Sequence, residues 1–265
     1  MNQGHWHRQD IKEPLFGNTL WSRPQNRKLA GKLLIVGGHA HSFADVGHAY
    51  AAAITAGAGS IRVILPSSLQ KVVGQFFGDV VFAPHTPSGS FSRQALAEVE
   101  LAAEWADGVL LAGDFGHNSE TAVMLGSLVQ NYHGPLAVAQ DSLDYFTSSA
   151  TELLKRPDTL LVINFEKLQK LAKTNSPEIM IRYGLDLHQA VQTLSEWSKA
   201  SKPWLITKHA DYFIVAIAGQ VSTTPAGSSE DWQTVLPPYG IVWLLQQPGR
   251  PFETLTTAVW DYIKR

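Results

Sequence analysis

The chain has 265 residues, a formal net charge of -2 and no cysteine; 45% of its residues are hydrophobic and 17% are charged. These values suit one large domain with a sizeable core and argue against disorder. The absence of a long Lys or Arg run argues against a nucleic-acid partner, and the absence of cysteine excludes disulfides, thiolate nucleophiles and Cys-ligated zinc.

The first ten residues, MNQGHWHRQD, are polar and contain no apolar signal region. No apolar run elsewhere reaches the length of a membrane span. We therefore expect a cytoplasmic protein with no membrane partner.

The chain begins with a segment rich in proline, glycine and polar residues, which predicts an N-terminal arm over residues 1–28 and a single domain over 29–265. The apolar run at 31–38 ends in paired glycines, the pattern of a buried parallel strand entering a tight turn. An alanine-rich helix at 44–56 and the strand SIRVILP at 60–66 complete one βαβ unit.

The alternation of strand and helix then continues along the chain. It predicts helices at 68–76, 92–105, 119–132, 148–155, 166–173 and 187–199, and strands at 79–83, 108–112, 136–139 and 159–164. The segments WLITK, DYFIVAIAG and QVSTTP lie too close together for helices between them, which predicts antiparallel pairs at one sheet edge. Two helices, at 239–246 and 251–263, end the chain. The pattern is typical of a mostly parallel α/β sheet covered by helices on both faces.

In such sheets ligands bind beyond the carboxyl ends of the strands. The first loop of this kind, GGHAHSFAD, leads into a helix N-terminus, where backbone N–H groups can hold an anion. Gly37 and Gly38 either belong to such an anion site or form a sharp turn.

Three further loops follow strands. Gly113 and Gly116 either allow close approach of a ligand or belong to an ordinary turn. Asp141 is a candidate proton acceptor, magnesium-water ligand or helix cap. Lys208 either meets a phosphate or is a solvated lysine in a turn.

Histidine pairs occur twice, at His5 and His7 and at His39 and His41, and HxH pairs can chelate divalent metals. No carboxylate or third histidine lies at matching spacing, so we predict no metal site. His39 and His41 lie in a candidate ligand loop and are suited to hydrogen-bond a phosphate or hydroxyl.

The segment GKLLIVGG…AYAAAITAGAGSIRVILP, followed by ADGVLLAGDFGHNSETAVML and PLAVAQDSLDYF, resembles the ADP- or ATP-dependent NAD(P)H-hydrate dehydratases of the ribokinase-like superfamily. The resemblance runs from about Leu29 to Thr224. It implies a three-layer α/β/α sandwich, ADP or ATP with magnesium, NAD(P)H hydrate as substrate, and a homo-oligomer.

The resemblance also implies a set of binding residues. Residues 112–116 stand at the family's Gly-Pro-Gly-Leu-Gly loop, Asn164 at the histidine of its Thr-Pro-His-x-Gly-Glu loop, and His209 at the glycine after its lysine. The implied substrate- or nucleotide-binding positions are Gly37, Gly38, Ala44, Asp45, Gly113, Asp114, Gly116, Asn164, Lys208 and His209.

The chain departs from the family at the Gly-Thr-Gly-Asp loop, whose aspartate is the base. That loop is expected between Gly227 and Gly240, where this chain reads SSEDWQTVLPPY. Anchoring on Gly240 places Leu236 at the aspartate position, and the prolines beside it lack N–H groups. The catalytic residue is thus unassigned, with Asp141, Glu230 and Asp231 as substitute candidates.

Three hypotheses follow. The first is a divergent relative that keeps a nucleotide or dinucleotide pocket with weak or no dehydratase activity. The second is an active dehydratase or small-molecule kinase that uses a non-standard base. The third is a non-catalytic assembly or interaction subunit.

Overall fold

The computed structural model describes residues 4–139, 141–146, 150–175, 178–182, 184–227 and 230–265. Ten strands form one sheet: β1 (Trp6–Arg8), β2 (Lys32–Gly37), β3 (Ser60–Pro66), β4 (Val80–Ala83), β5 (Gly108–Gly113), β6 (Leu136–Ala139), β7 (Thr159–Val162), β8 (Trp204–His209), β9 (Tyr212–Ile217) and β10 (Gln220–Pro225). Their order is β1-β10-β9-β8-β7-β6-β5-β2-β3-β4. Only β9 pairs antiparallel with its neighbours, β8 and β10, among the pairs within this sheet.

Helices cover both faces of the sheet. They are α1 (Asn18–Trp21), α2 (Ala44–Thr55), α3 (Gln70–Val73), α4 (Leu96–Trp105), α5 (Ser119–Asn131), α6 (Ala150–Lys155), α7 (Phe165–Asn175), α8 (Leu187–Ala200), α9 (Trp232–Gln246) and α10 (Pro251–Ile263). The predicted fold class, a mostly parallel α/β/α sandwich with an antiparallel portion late in the chain, is confirmed.

Two cores lie on opposite sides of the sheet because strand side chains alternate between its faces. Leu33 and Ile35 of β2 pack with α2, α9 and α10, whereas Leu34 and Val36 face the side of α4, α5 and α8. All four side chains are fully buried. The continuous apolar run of β2 thus reflects a strand covered on both faces.

The predicted arm is part of the sheet. β1 pairs parallel with β10, and the Trp6 indole N–H donates to the Thr223 hydroxyl at 3.0 Å. The chain then crosses α10, where the Trp260 indole N–H donates to the Ile11 carbonyl at 3.1 Å. Gln9 is buried and its amide donates to the Thr256 carbonyl at 2.8 Å. The start of the chain therefore covers both the sheet edge and the last helix.

Two predicted helices differ from the structure. The helix expected at 68–76 is reduced to a 3₁₀ turn and the four residues of α3, since Gly74 has φ of +57° and ends it. The helix expected at 239–246 begins seven residues earlier, at Trp232, and contains Pro237 and Pro238. Of the helix expected at 148–155, the described part is α6; residues 148 and 149 lie outside the described residues.

Tertiary packing accounts for the long α9. Proline inside a helix removes a hydrogen bond and costs about 3 kcal/mol. Every residue from Leu236 to Leu244 is nonetheless buried, so α9 lies in the core between the sheet and its neighbouring helices. That burial outweighs the lost hydrogen bonds.

Candidate functional site

The carboxyl ends of the parallel strands bring the candidate residues to one edge of the sheet. They form two groups there. Residues that follow β2 and β5 make the first group, and residues that follow β7 and β8, with the start of α9, make the second.

In the first group, Gly37 and Gly38 are required by packing. A Cβ on Gly37 would lie 2.7 Å from the Gly113 carbonyl oxygen, and Gly38 adopts φ of +88°. The Gly38 N–H donates to that same Gly113 carbonyl at 3.0 Å. These contacts give the glycine pair a role in the turn and in the β2–β5 contact.

The N-terminus of α2 faces Asp114. The Asp114 carboxylate accepts the backbone N–H of Asp45 at 2.9 Å, and the His39 ring bonds to the Asp114 carbonyl, also at 2.9 Å. Asp114 has φ of +58°, a conformation that Asp tolerates better than most residues. An anion at this helix end would meet the carboxylates of Asp114 and Asp45, which disfavours a phosphate there.

The loop after β5 packs closely on its neighbours. A Cβ on Gly116, at φ of +78°, would lie 2.5 Å from the Ser90 hydroxyl and 2.9 Å from the His39 ring. Asn118 caps α5 by accepting the Glu120 N–H at 2.8 Å. His117 stacks on Tyr145, with ring centroids 6.2 Å apart. Among the binding candidates, Ala44 is the exposed first residue of α2.

In the second group, Asn164 and His209 are held by the protein itself. The Asn164 side chain accepts the Lys167 N–H at 2.8 Å, as a cap of α7. The His209 ring bonds to the Leu185 carbonyl at 2.7 Å and lies 4.6 Å from the Phe165 ring. Both side chains therefore anchor α7 and the segment before α8.

Lys208 has a different environment. It is half-buried at the end of β8, and its ammonium lies 5.9 Å from the centre of the Phe213 ring. Within the described residues it makes no hydrogen bond and no ion pair. Phe213 in turn contacts Trp232, the first residue of α9, at 5.7 Å between ring centroids. A half-buried lysine without a counterion is suited to an anionic ligand.

Asp231 directly precedes α9, because this helix begins at Trp232 and not at the predicted position 239. Asp231 is exposed, makes no side-chain cap bond, and accepts the Tyr262 hydroxyl at 3.0 Å. Leu236, at the position that the resemblance assigns to the base, lies one turn inside α9 and is fully buried. Glu230 is exposed, and the side chain of Asp141 lies outside the described residues.

Asp231 and Asp45 also line a cavity of about 770 Å³ between α2, α9 and the end of α10. Sequence reasoning did not find this cavity, because it depends on how three separate helices pack. Across the described part of the chain, no group of three or more His, Asp or Glu side chains lies together as a metal site. In the same part, no helix is both long and apolar enough to cross a membrane.

Comparison with solved structures identifies the architecture. A ribokinase-like superfamily protein from Enterococcus faecalis superposes with a TM-score of 0.72 over 98% of this chain and 86% of that chain, at 15% identity. The ribokinase-like fold is this protein's fold. A hypothetical protein from Streptococcus mutans shares it with a TM-score of 0.66 at 15% identity, over 91% of this chain and 86% of the other.

An enzyme of known activity also shares the ribokinase-like fold. The ADP/ATP-dependent NAD(P)H-hydrate dehydratase from Bacillus subtilis, co-crystallised with ATP and Mg²⁺, superposes with a TM-score of 0.59 at 12% identity, over 89% of this chain and 79% of that chain. No family model matches the sequence, and no curated protein matches it either. At these identities the likeness establishes the fold.

Proposed function

We propose that this protein binds a nucleotide or dinucleotide at the carboxyl edge of the sheet and acts as a divergent relative of the NAD(P)H-hydrate dehydratases, with weak or no dehydratase turnover. The likeness to the ATP-bound dehydratase supports the kind of ligand. Lys208 supports its place, because this half-buried ammonium lies at the carboxyl end of β8 and has no counterion within the described residues. The phosphates of ADP or ATP would contact Lys208.

The observation that carries the proposal is the position of Leu236. The family resemblance assigns this position to the base at a helix N-terminus, whereas here it lies inside α9 and is fully buried. An aliphatic side chain accepts no proton, so Leu236 cannot act as the general base, a role that typically contributes ~10²–10⁴ to a rate.

Magnesium accompanies ATP in the Bacillus subtilis enzyme. No cluster of metal-ligating side chains lies in the described residues. We therefore assign no step to a metal, and place on this chain only the phosphate contact at Lys208.

A second function, an active dehydratase or small-molecule kinase, is favoured by one observation. Asp231 stands at the start of α9, where a helix N-terminus and a carboxylate occur together. Such a pair can accept a proton from a hydroxyl and stabilise charge on a phosphoryl group. Asp231 is therefore the base of this alternative.

A thermal-shift titration with ADP, ATP, NAD and NADP tests binding. We expect at least one of them to stabilise the protein at sub-millimolar concentration, because a ligand that binds only the folded state raises its stability. Lys208→Ala should abolish most of that shift, whereas Lys173→Ala, an exposed lysine on α7, should leave it unchanged. No shift with any of the four would favour the third hypothesis, a non-catalytic assembly subunit.

An activity assay separates the first two functions. The protein is incubated with NADPH hydrate and either ADP or ATP, and recovery of NADPH absorbance is followed. We expect no enzymatic rate. A rate that Asp231→Asn removes and Glu230→Gln retains would establish the alternative, since these neighbouring acids are both exposed.

A further inference from the structure

The strand β4 forms one outer edge of the sheet. In the described part of the chain its one neighbouring strand is β3, whereas the outer side of β10 is covered by β1. The four residues of β4, Val80–Ala83, are all apolar, and the first three are half-buried. Natural edge strands usually carry a charge or a proline that prevents pairing with another chain. An apolar strand at an open edge is therefore suited to such pairing.

Two residues of β4 direct their backbone polar groups away from the sheet. The Val63 N–H donates to the Asp79 carbonyl at 2.9 Å, and Val63 is in register with Val80. In a parallel ladder this register points the N–H and C=O of Val81 towards β3, and those of Val80 and Phe82 outwards. Within the described residues these outward groups make no hydrogen bond to a loop or side chain. They are available to a further strand.

The backbone on either side of this pair is already engaged. Gly78 lies two residues before it, and its N–H donates to the Tyr50 hydroxyl at 3.1 Å. Pro84 lies two residues after it and has no N–H, and its carbonyl accepts the Ser92 N–H at 3.0 Å. A further strand would therefore bond mainly to the two outward residues.

The outward groups are self-complementary in an antiparallel arrangement. With a two-fold axis at Val81, Val80 of each copy lies opposite Phe82 of the other. The two residue pairs then exchange four N–H···O bonds. An axis at Phe82 would instead place Val80 opposite Pro84, which cannot donate. The register centred on Val81 is thus the one that uses all of the outward donors.

Side chains around β4 also suit a second copy. Val72 and Phe76, which precede the strand, are 64% and 61% exposed although both are apolar. The Phe76 ring contacts the buried Phe77 with centroids 4.9 Å apart, so it lies against the core on the α2 side of the sheet. The two-fold axis also places Asp79 of each copy diagonal to His85 of the other, a carboxylate beside an imidazole.

We propose that two copies of this chain associate by antiparallel pairing of their β4 strands, which joins the two sheets into one. The partner is a second copy because the outward backbone groups and the flanking side chains complement themselves under a two-fold rotation. The interface contains no residue of the proposed nucleotide site and does not depend on that proposal.

Analytical ultracentrifugation of the full chain measures the association. We expect a dimer whose Kd rises at least about tenfold in Val80→Pro, because an outward N–H is lost from each copy while the bonds to β3 are kept. Val80→Ala retains that N–H and should remain a dimer. Phe76→Lys should weaken the dimer, whereas Met180→Lys, at a residue 60% exposed between α7 and α8, should not.

Cysteine cross-linking tests the register. The chain has no cysteine, so a single introduced thiol reports on its own surroundings. Val81→Cys should form an intermolecular disulfide on mild oxidation, because two residues on the axis face each other at disulfide distance. Val123→Cys, at a valine of α5 that is 47% exposed, should cross-link at least about tenfold more slowly because the paired strands do not bring two such thiols together.

Three results would overturn the proposal. They are a parent chain that stays monomeric at micromolar concentrations, a dimer that Phe76→Lys and Val80→Pro both leave intact, and equal cross-linking rates for the two cysteine variants. Circular dichroism checks that each variant is folded, and where Val80→Pro is not, Phe76→Lys and the cross-linking rates decide. Nucleotide binding is measured separately by thermal shift, so failure of either proposal leaves the other standing.

Discussion

Asp114 is the residue that connects the first two carboxyl-edge loops. Its carboxylate caps α2, its carbonyl holds His39, and its backbone is left-handed. Asp114→Ala should lower the free energy of unfolding by about 1–2 kcal/mol, because a helix loses its cap. Chemical denaturation measures this change.

Asp114→Asn is the matched control, since asparagine keeps an acceptor oxygen and tolerates positive φ. It should retain most of the stability. If the alanine and asparagine variants unfold at the same denaturant concentration, the capping role is wrong.

Two tyrosines link stability to alkaline pH. Burial raises the pKa of Tyr132 to about 12, and burial together with the hydrogen bond to Asp261 raises the pKa of Tyr239 further. A raised pKa means that the folded state holds the proton more tightly than the unfolded state. The resulting stabilisation is complete below pH of about 10 and is lost as the pH rises through the pKa of the folded protein.

Tyrosinate absorbance measures this effect. At pH 11 at least these two tyrosines should remain protonated in the folded protein. The number of tyrosines that remain protonated should fall by one in Tyr239→Phe. The free energy of unfolding of this variant should also decrease less steeply above pH 10. Ionisation of Tyr239 together with solvent-exposed tyrosines would contradict the expectation.

At the scale of an element, α9 depends on close packing rather than on its own hydrogen bonds. A Cβ on Gly240 would lie 2.8 Å from a Leu160 methyl and 3.2 Å from a Leu255 methyl. Gly240→Ala should therefore cost about 1–3 kcal/mol. Gly126→Ala on α5, where a Cβ meets nothing within 4 Å, should instead stabilise by about 0.5–1 kcal/mol.

Thermal unfolding of the two variants checks this pair, because helix propensity favours alanine at both positions. The two positions differ only in how closely neighbouring side chains pack around the glycine. Stabilisation by Gly240→Ala would mean that α9 is held less tightly against β7 than the structure indicates.

The strands and α9 differ in how well the sequence predicts them. Strands such as β2, β3 and β6 are predictable because uninterrupted apolar residues between turn signals specify buried parallel strands. The carboxyl ends of parallel strands lie at one edge of the sheet. The loops that follow the strands, with Gly38, Gly113 and Lys208, can therefore be predicted to lie at that edge as well.

The start of α9 is not predictable in the same way. Pro237 and Pro238 favour a break, and only contacts with the sheet and α10 reverse that preference. The helix predicted at 239–246 therefore leaves Asp231 well outside it, whereas the structure places Asp231 directly before α9. The cavity between α2, α9 and α10 and the pairing of β1 with β10 involve residues far apart in the chain, which periodicity cannot detect.

At the scale of the whole molecule, the start of the chain protects the sheet. β1 covers the outer edge of β10, and the segment after it crosses α10. Deleting residues 1–8 should lower Tm by about 5–10 °C and increase self-association, because an uncovered edge strand pairs with other chains. Differential scanning calorimetry and light scattering measure the two effects.

Deleting only residues 1–3 is the control, since it leaves β1 intact. Equal Tm values for both truncated chains would show that β1 does not stabilise the protein.

The hydrogen bond between the side chains of Trp6 and Thr223, on β1 and β10, joins residues 217 positions apart. During synthesis on a ribosome, the first strand leaves the exit tunnel long before its partner exists, and must wait as an unpaired segment. Contacts of such long range slow folding. The outermost strand is therefore expected to dock last, after the rest of the sheet has already formed.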